Sequence, residues 1–301
     1  MRVIILGSAA GGGLPQWNCG CANCRAARDA GTGRTQSSVA VSADGQRWIL
    51  LNASPDLRVQ LAAHRELWPR GARGTPIHAV ILTDGEIDHT LGLLLLRESA
   101  TKLPIYAPAG VAALLGAEWP LYRVLAAYAG VDARTIPDGR PLQLTSAQDE
   151  SLGIQCTAFP VARRPPRYAR GATAATFDVA LRLRDERTGG TLAYIPTAGA
   201  VDDAVRGAAT GADVLLFDGT FWADGELRAA GADAPTAREM GHLPVGGPRG
   251  GIELLPRAGA KRTVLVHINN TNPILCRTST ERAQVEAAGL EVGEDGMEFD
   301  L

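Results

Sequence analysis

The chain has 301 residues, 46% of them hydrophobic, and a formal net charge of −2 at pH 7. That length suits one large folded unit or two small ones, and the near-neutral balance excludes a bulk electrostatic pull toward nucleic acid or an anionic membrane. The longest apolar candidate, Leu91 to Leu96, is far short of the ~20 residues that span a bilayer.

The chain opens on Met1-Arg2-Val3-Ile4-Ile5-Leu6. A signal peptide needs a longer apolar stretch and a cleavage site, so Val3–Leu6 reads as a first core strand and the expected location is the cytoplasm. Next comes Trp17-Asn18-Cys19-Gly20-Cys21-Ala22-Asn23-Cys24. Of five cysteines, three fall within six residues here, an odd and clustered arrangement that argues against a disulfide framework. Three thiolates this close suit one tetrahedral Zn²⁺, and such a closed site is structural. The expectation is a zinc-clip loop at about residues 15–27 held by Cys19, Cys21 and Cys24. The fourth ligand stays open, and the residues shortly after His267 that could face this loop are Asn269 and Asn270.

Strands are expected at Ser38–Val41 and Trp48–Asn52, joined as a hairpin through Asp44-Gly45. A helix follows over Asp56–Glu66, with His64 on its surface. The buried-strand pattern Ala79–Thr83, preceded by a structural His78, runs into Asp84-Gly85-Glu86-Ile87-Asp88-His89 and then an apolar helix over Thr90–Ala100. A strand, a short polar loop and a helix expose side chains at the strand's carboxyl end. Carboxylates and an imidazole in that loop suit Zn²⁺, Mn²⁺ or Fe²⁺, although Asp and Gly there are also good turn and cap chemistry.

Further on, the pattern gives strands at Ile105–Ala107, Thr157–Val161, Val179–Leu183 and Leu192–Pro196, and helices over Val111–Ala129 and Asp202–Ala208. The strand Val214–Asp218 ends on an acid followed by Gly219-Thr220. Met240-Gly241-His242-Leu243 adds another polar point, and after a helix over Gly250–Ala258 the strand Thr263–Ile268 carries His267 near its end. A last helix, Ser279–Ala288, starts on hydroxyl caps and an early Glu281. No internal repeat is visible. The mixture predicts an α/β fold with a two-sheet core and outer helices rather than a doubly wound sheet.

Three separate strand ends thus offer Asp88 and His89, Asp218, and His267. In this the chain resembles the metallo-β-lactamase superfamily, which carries H-x-H-x-D-H after a core strand, then a further histidine, a metal-bridging aspartate and a final histidine. The resemblance implies an αββα sandwich, two mixed sheets flanked by helices, as one domain over residues 1–301. Here Asp84 and Glu86 replace the first two histidines, Asp88-His89 match, Asp218 matches the bridging acid and His267 the final histidine. The middle histidine is expected after Val161, where Ala162-Arg163-Arg164 stand. The losses fall on one metal site, so the reading is a mononuclear centre of Asp88, His89, Asp218 and His267, close to the two-His, one-carboxylate arrangement of non-haem iron oxygenases. A two-metal hydrolase would be poorly served. Asp84 and Glu86 are then supporting groups or alternative ligands.

A closer resemblance is to the pyrroloquinoline quinone (PQQ) synthesis protein B family. It rests on Gly7–Cys24, Asp88-His89, Phe217-Asp218-Gly219-Thr220-Phe221-Trp222, Met240-Gly241-His242, His267-Ile268-Asn269-Asn270-Thr271-Asn272-Pro273 and Asp295-Gly296-Met297-Glu298. It implies a cytoplasmic homodimer of PQQ biosynthesis with a structural Zn²⁺ on its cysteines. Two activities are attached to that family: Fe²⁺-dependent, O₂-using hydroxylation of the tyrosine ring in a Glu–Tyr-derived intermediate, or carriage of PQQ or its precursor toward the periplasm. A metal-dependent hydrolase is the third alternative. Under the first, His242 is an acid/base or orienting group, Asn269 and Asn270 either bind substrate or cap a turn, and Arg163, Arg164 and Arg167 read first as a solvated loop, with bidentate pairing to an acidic substrate as the alternative. Neither nucleic acid nor membrane insertion is expected.

Overall fold

The computed structural model describes residues 1–99, 101–161, 165–169, 171–172 and 176–301. Among these residues, fourteen strands form two sheets of seven. The first contains β1 (Arg2–Gly7), β2 (Ser38–Ser42), β3 (Trp48–Leu51), β4 (Ile77–Ile81), β5 (Leu103–Ala107) and β6 (Val131–Thr135). The second contains β7 (Leu142–Thr145), β8 (Ser151–Pro160), β9 (Val179–Asp185), β10 (Thr191–Ile195), β11 (Val214–Asp218), β12 (Arg262–Val266) and β13 (Glu291–Val292). The last strand, β14 (Glu298–Asp300), returns to the first sheet, whose order is β14-β1-β2-β3-β4-β5-β6. The second runs β13-β12-β11-β10-β9-β8-β7.

Both sheets have the same plan. Antiparallel pairing holds up to β3 in one and β10 in the other, and the strands beyond pair in parallel. The two halves therefore share a topology although no sequence repeat announces it.

The αββα layering follows from strands buried on both faces. In β1, Val3 and Ile5 enter the layer between the sheets, while Ile4 and Leu6 face outer helices. In β11, Val214 and Leu216 point inward, while Leu215 and Phe217 meet the outer layer with Val205 and Leu255. With both faces covered, such strands read as continuous apolar runs.

Several expected helices are shorter than the pattern suggests. The run over Val111–Ala129 is two pieces, Ala109–Gly116 and Leu121–Leu125, divided at Pro120, because proline cannot continue a helix interior. Thr90–Ala100 is instead a helix at Ile87–Thr90 followed by a 3₁₀ segment at Leu91–Leu96. There Gly92 lies so close to β3's exit that a Cβ would sit 2.2 Å from the Ser54 carbonyl oxygen. Gly250–Ala258 divides similarly, with Pro256 opening the 3₁₀ turn Leu255–Arg257. The last helix, Thr280–Ala287, is capped by Ser279, whose hydroxyl accepts from the Arg282 N–H at 3.0 Å. The Asp44 hairpin also forms, with Asp44 Oδ1 accepting from the N–H groups of Gln46 and Arg47.

Candidate metal centre and its cavity

The carboxyl ends of β1, β4, β10, β11 and β12 feed one cavity of about 870 Å³, lined among others by Ala10, Asp88, Thr197, Thr220 and His267. Ends of parallel strands are where open α/β sheets place ligands, because the loops that leave there are free to vary without disturbing the core.

Asp88 and His89 sit on the short helix after β4. A buried chain of hydrogen bonds holds this segment. Asn52 Oδ1 accepts from the Thr83 N–H at 2.9 Å, the Thr83 hydroxyl reaches Asp84 Oδ2 at 2.9 Å, and both Asp84 oxygens lie 2.8 Å from His89 Nδ1. A carboxylate at Nδ1 fixes the tautomer with the proton on Nδ1 and leaves the Nε2 lone pair exposed. That Nε2 is buried and has no hydrogen-bond partner among the described residues, an expensive condition for a polar atom unless something else occupies its lone pair.

His267 is prepared in the same way from the other sheet. It follows β12 in the left-handed region, φ 54°, which a non-glycine residue rarely adopts and which marks a position fixed by its surroundings. The Thr220 hydroxyl donates to Asp218 Oδ1 at 2.6 Å and lies 2.8 Å from His267 Nδ1. Its one hydrogen being so used, Thr220 accepts from Nδ1, and His267 also offers a bare Nε2. The two imidazoles converge on Asp88 Oδ2, at 3.3 Å from His267 Nε2 and 3.8 Å from His89 Nε2. Ligand atoms ~2.0–2.2 Å from one ion lie about 3–3.5 Å apart, so this spacing fits a first-row divalent metal.

Charge follows geometry. Burial disfavours charge on His89, yet the Asp84 and Asp88 carboxylates outweigh it and raise its pKa to about 9. Asp88, against the upward push of burial, is held well below the usual carboxylate range by His89 and His267. Burial pulls His267 down, and the neighbouring His89 adds to it.

The expected four ligands, joined by His242, fall into two triads that share His267. Asp88, His89 and His267 form one; Asp218, His242 and His267 form the other. Asp218 is already engaged on both oxygens. Thr220 N–H and hydroxyl reach Oδ1, while Ala198 N–H and His242 Nδ1 reach Oδ2 at 2.9 and 2.7 Å. Burial raises the Asp218 pKa and the His242 ring more than offsets it. Asp218 thereby steers His242 as Asp84 steers His89, and turns the His242 ring to stack 5.7 Å from His267. Asp84 lies behind His89, while Glu86 lines the cavity. Gly11 approaches from the loop after β1, where an added Cβ would stand 3.1 Å from Asp88 Oδ2.

Asn269 lines the cavity, but Asn270 does not. The expectation of two substrate-binding amides is corrected for Asn270: its Nδ2 lies 3.0, 3.6 and 3.3 Å from the sulfurs of Cys19, Cys21 and Cys24. The chain turns here, the Asn272 N–H donating to the Asn269 carbonyl at 3.0 Å, and one amide serves the cavity while its neighbour serves the cysteines. Those sulfurs all lie within 4.8 Å of one another. Burial opposes ionisation at Cys21, but the Cys24 N–H and neighbouring donors lower its pKa, whereas burial drives Cys24 up to about 11. Asn23 fastens this cluster to the Asn270 and Asn272 carbonyls at 3.0 and 2.9 Å.

Arg167 lines the cavity, joined by Arg238, which the sequence did not single out. Arg163, Arg164 and the stretch where a middle histidine would stand lie outside the described residues. Glu226 also escaped notice. It is buried, accepts from the Trp222 N–H and the Thr271 hydroxyl, and burial pushes its carboxyl up against those bonds. No local signal marks it, because its partners come from other loops. No helix of the described residues is long and apolar enough to cross a membrane.

A β-lactamase superfamily domain model matches residues 47–268. Coenzyme PQQ synthesis protein B of Cupriavidus necator is 46% identical over 304 residues, covering 99% of this chain and 98% of that one. The protein of the same name from Methylococcus capsulatus is 44% identical over 100% of both chains. Among solved structures, Zn²⁺-bound PqqB from Methylobacterium extorquens superposes with a TM-score of 0.88 at 41% identity over 100% of both chains. A diphosphatase of the PhnP family follows with a TM-score of 0.69 at 22% identity, a likeness of fold alone. On sequence and architecture together, the chain belongs to the coenzyme PQQ synthesis protein B family, built on the β-lactamase superfamily fold.

Proposed function

We propose that this protein acts in PQQ biosynthesis as a mononuclear iron(II) hydroxylase of the tyrosine ring in a Glu–Tyr-derived intermediate. The observation that supports this most is the convergence of His89 Nε2 and His267 Nε2 on Asp88 Oδ2, two imidazoles and one carboxylate from two sheets, with the buried His89 Nε2 lacking any other partner among the described residues. That donor set suits Fe²⁺ with positions left for other ligands. Iron bound there would supply O₂ activation, one oxygen atom entering the ring and the other leaving as water, with two electrons from an external reductant.

The chain's own residues would do the rest. Asp84 and Thr220 hold the two ligand rings in their binding tautomers. His242, oriented by Asp218, stands beside His267 and is placed to take the proton of a phenol. Arg167 and Arg238, both exposed at the cavity with no ion pair among the described residues, offer guanidinium forks to substrate carboxylates. Zn²⁺ would occupy the separate centre of Cys19, Cys21 and Cys24, with Asn270 turned to supply its oxygen as fourth ligand.

The test is anaerobic loading with Fe²⁺, addition of a Glu–Tyr substrate and a reductant, exposure to O₂, and mass analysis. A gain of one oxygen that disappears in His267→Ala and Asp88→Ala supports the hydroxylase. Tight quinone binding by metal-free protein without any such gain would favour the carrier reading instead.

A further inference from the structure

Among the described residues lining the cavity, Asn269 carries the one side-chain amide, and it is held one way round. The Asn269 backbone N–H donates to the Thr220 carbonyl at 3.0 Å, and its side-chain Nδ2 donates to Thr271 Oγ1 at 2.6 Å. Thr271 Oγ1 in turn donates to Glu226 Oε1 at 2.5 Å, while Glu226 Oε2 accepts from the Trp222 N–H at 2.6 Å. The direction of this chain follows from the inventory of hydrogens. An ionised carboxylate has only lone pairs, and a hydroxyl has a single hydrogen. Thr271 must spend that hydrogen on Glu226, so toward Asn269 it can only accept. The amide group facing Thr271 is therefore the NH₂, and the carbonyl Oδ1 is turned the other way. Asn269 Oδ1 has no hydrogen-bond partner among the described residues, and its residue lines the cavity.

We propose that Glu226 is a positioning residue which, through Thr271, locks Asn269 with its carbonyl toward the cavity, and that Asn269 Oδ1 there accepts an N–H of the substrate's amino group. This rests on the reading of the cavity as the site for a tyrosine-containing substrate, and it adds a criterion of selection. A ligand with an ammonium is preferred over the same ligand without one. Glu226 also joins two loops that carry the centre, the one after Asp218 and the one after His267. Its effect on selectivity is separable from its effect on fold, because glutamine keeps the shape while removing the demand for the Thr271 hydrogen.

The experiment compares L-tyrosine with 3-(4-hydroxyphenyl)propionate, which lacks only the amino group, by calorimetric titration of the full metal-loaded chain at pH 8. The wild type is expected to prefer tyrosine by on the order of tenfold or more, the range of one hydrogen bond to a charged donor. Glu226→Gln and Thr271→Val are expected to reduce that preference to below about threefold, and Thr271→Ser, which keeps the hydroxyl, to retain it. Metal content and circular dichroism of each variant separate this from misfolding. A wild type without the preference, or a preference that survives both Glu226→Gln and Thr271→Val, overturns the proposal. Absence of ring hydroxylation alongside an intact, Glu226-dependent preference would sink the hydroxylase reading and leave this one standing.

Discussion

Asp84→Asn tests how the centre is prepared for its ion. Both Asp84 oxygens lie 2.8 Å from His89 Nδ1, so the asparagine keeps the shape, loses the charge and offers one acceptor instead of two. Loss of such an outer partner costs about 10–100-fold in metal affinity, or about 1.4–2.7 kcal/mol. An opposing effect comes from the same contact. With its pKa raised to about 9 by Asp84 and Asp88 against burial, the His89 ring is expected to take a second proton, on Nε2, when no metal is bound at pH 7.5. It must then shed that proton to bind, which costs about 2 kcal/mol at ~1.4 kcal/mol per pH unit. The sign is that of a raised pKa: wild-type affinity climbs about tenfold per unit of pH below 9 and levels off above it. Asparagine removes much of the proton's hold, so at pH 7.5 the two effects nearly cancel, and at pH 9.5 the whole orientation loss is visible. Competition with a chromophoric chelator for Zn²⁺ or Mn²⁺ at both pH values reads this directly. An equal loss at the two pH values, or none at pH 9.5, would refute the account of His89.

Gly11→Ala places a methyl 3.1 Å from Asp88 Oδ2; metal affinity should fall several-fold with little change in melting temperature, as equilibrium dialysis and a thermal scan will show. Cys24→Ser removes a buried sulfur from the cluster that Asn270 touches; the variant should lose one equivalent of zinc by elemental analysis and melt lower, and it should bind the active-site ion more weakly because His267 shares the loop. Leu216→Ala, at a fully buried position between the sheets, should cost about 2–5 kcal/mol in urea unfolding while leaving the ligand geometry, and hence metal stoichiometry, intact.

The inner strands were legible because each is buried on both faces and so reads as an unbroken apolar run, as in Val214–Phe217. The edges were not. Val131–Thr135, Leu142–Thr145, Glu291–Val292 and Glu298–Asp300 are short and half-exposed, and they exist as strands only because a neighbour pairs with them. Helix lengths were overestimated where prolines and close glycines intervene, at Pro120 and Gly92. At the centre, Asp88, His89, Asp218 and His267 stood out by their place at strand ends. Two features of their arrangement could not be read from spacing: the left-handed backbone at His267, and the commitment of both Asp218 oxygens to protein donors. The Glu226–Thr271–Asn269 chain was equally hidden, since hydrogen bonds between loops leave no periodicity. Asn270 stood in the right loop, but which way its amide faces depends on the loop's path.

One ligand pair leaves the first sheet and the remaining imidazole leaves the second, so neither half of the molecule owns the centre. An ion can be captured at full strength only once the two layers have docked and His267 has been forced into its unfavourable backbone state. Metal uptake should therefore be a late event in maturation, reporting that assembly is complete, and a partly folded chain should hold no ion at this centre.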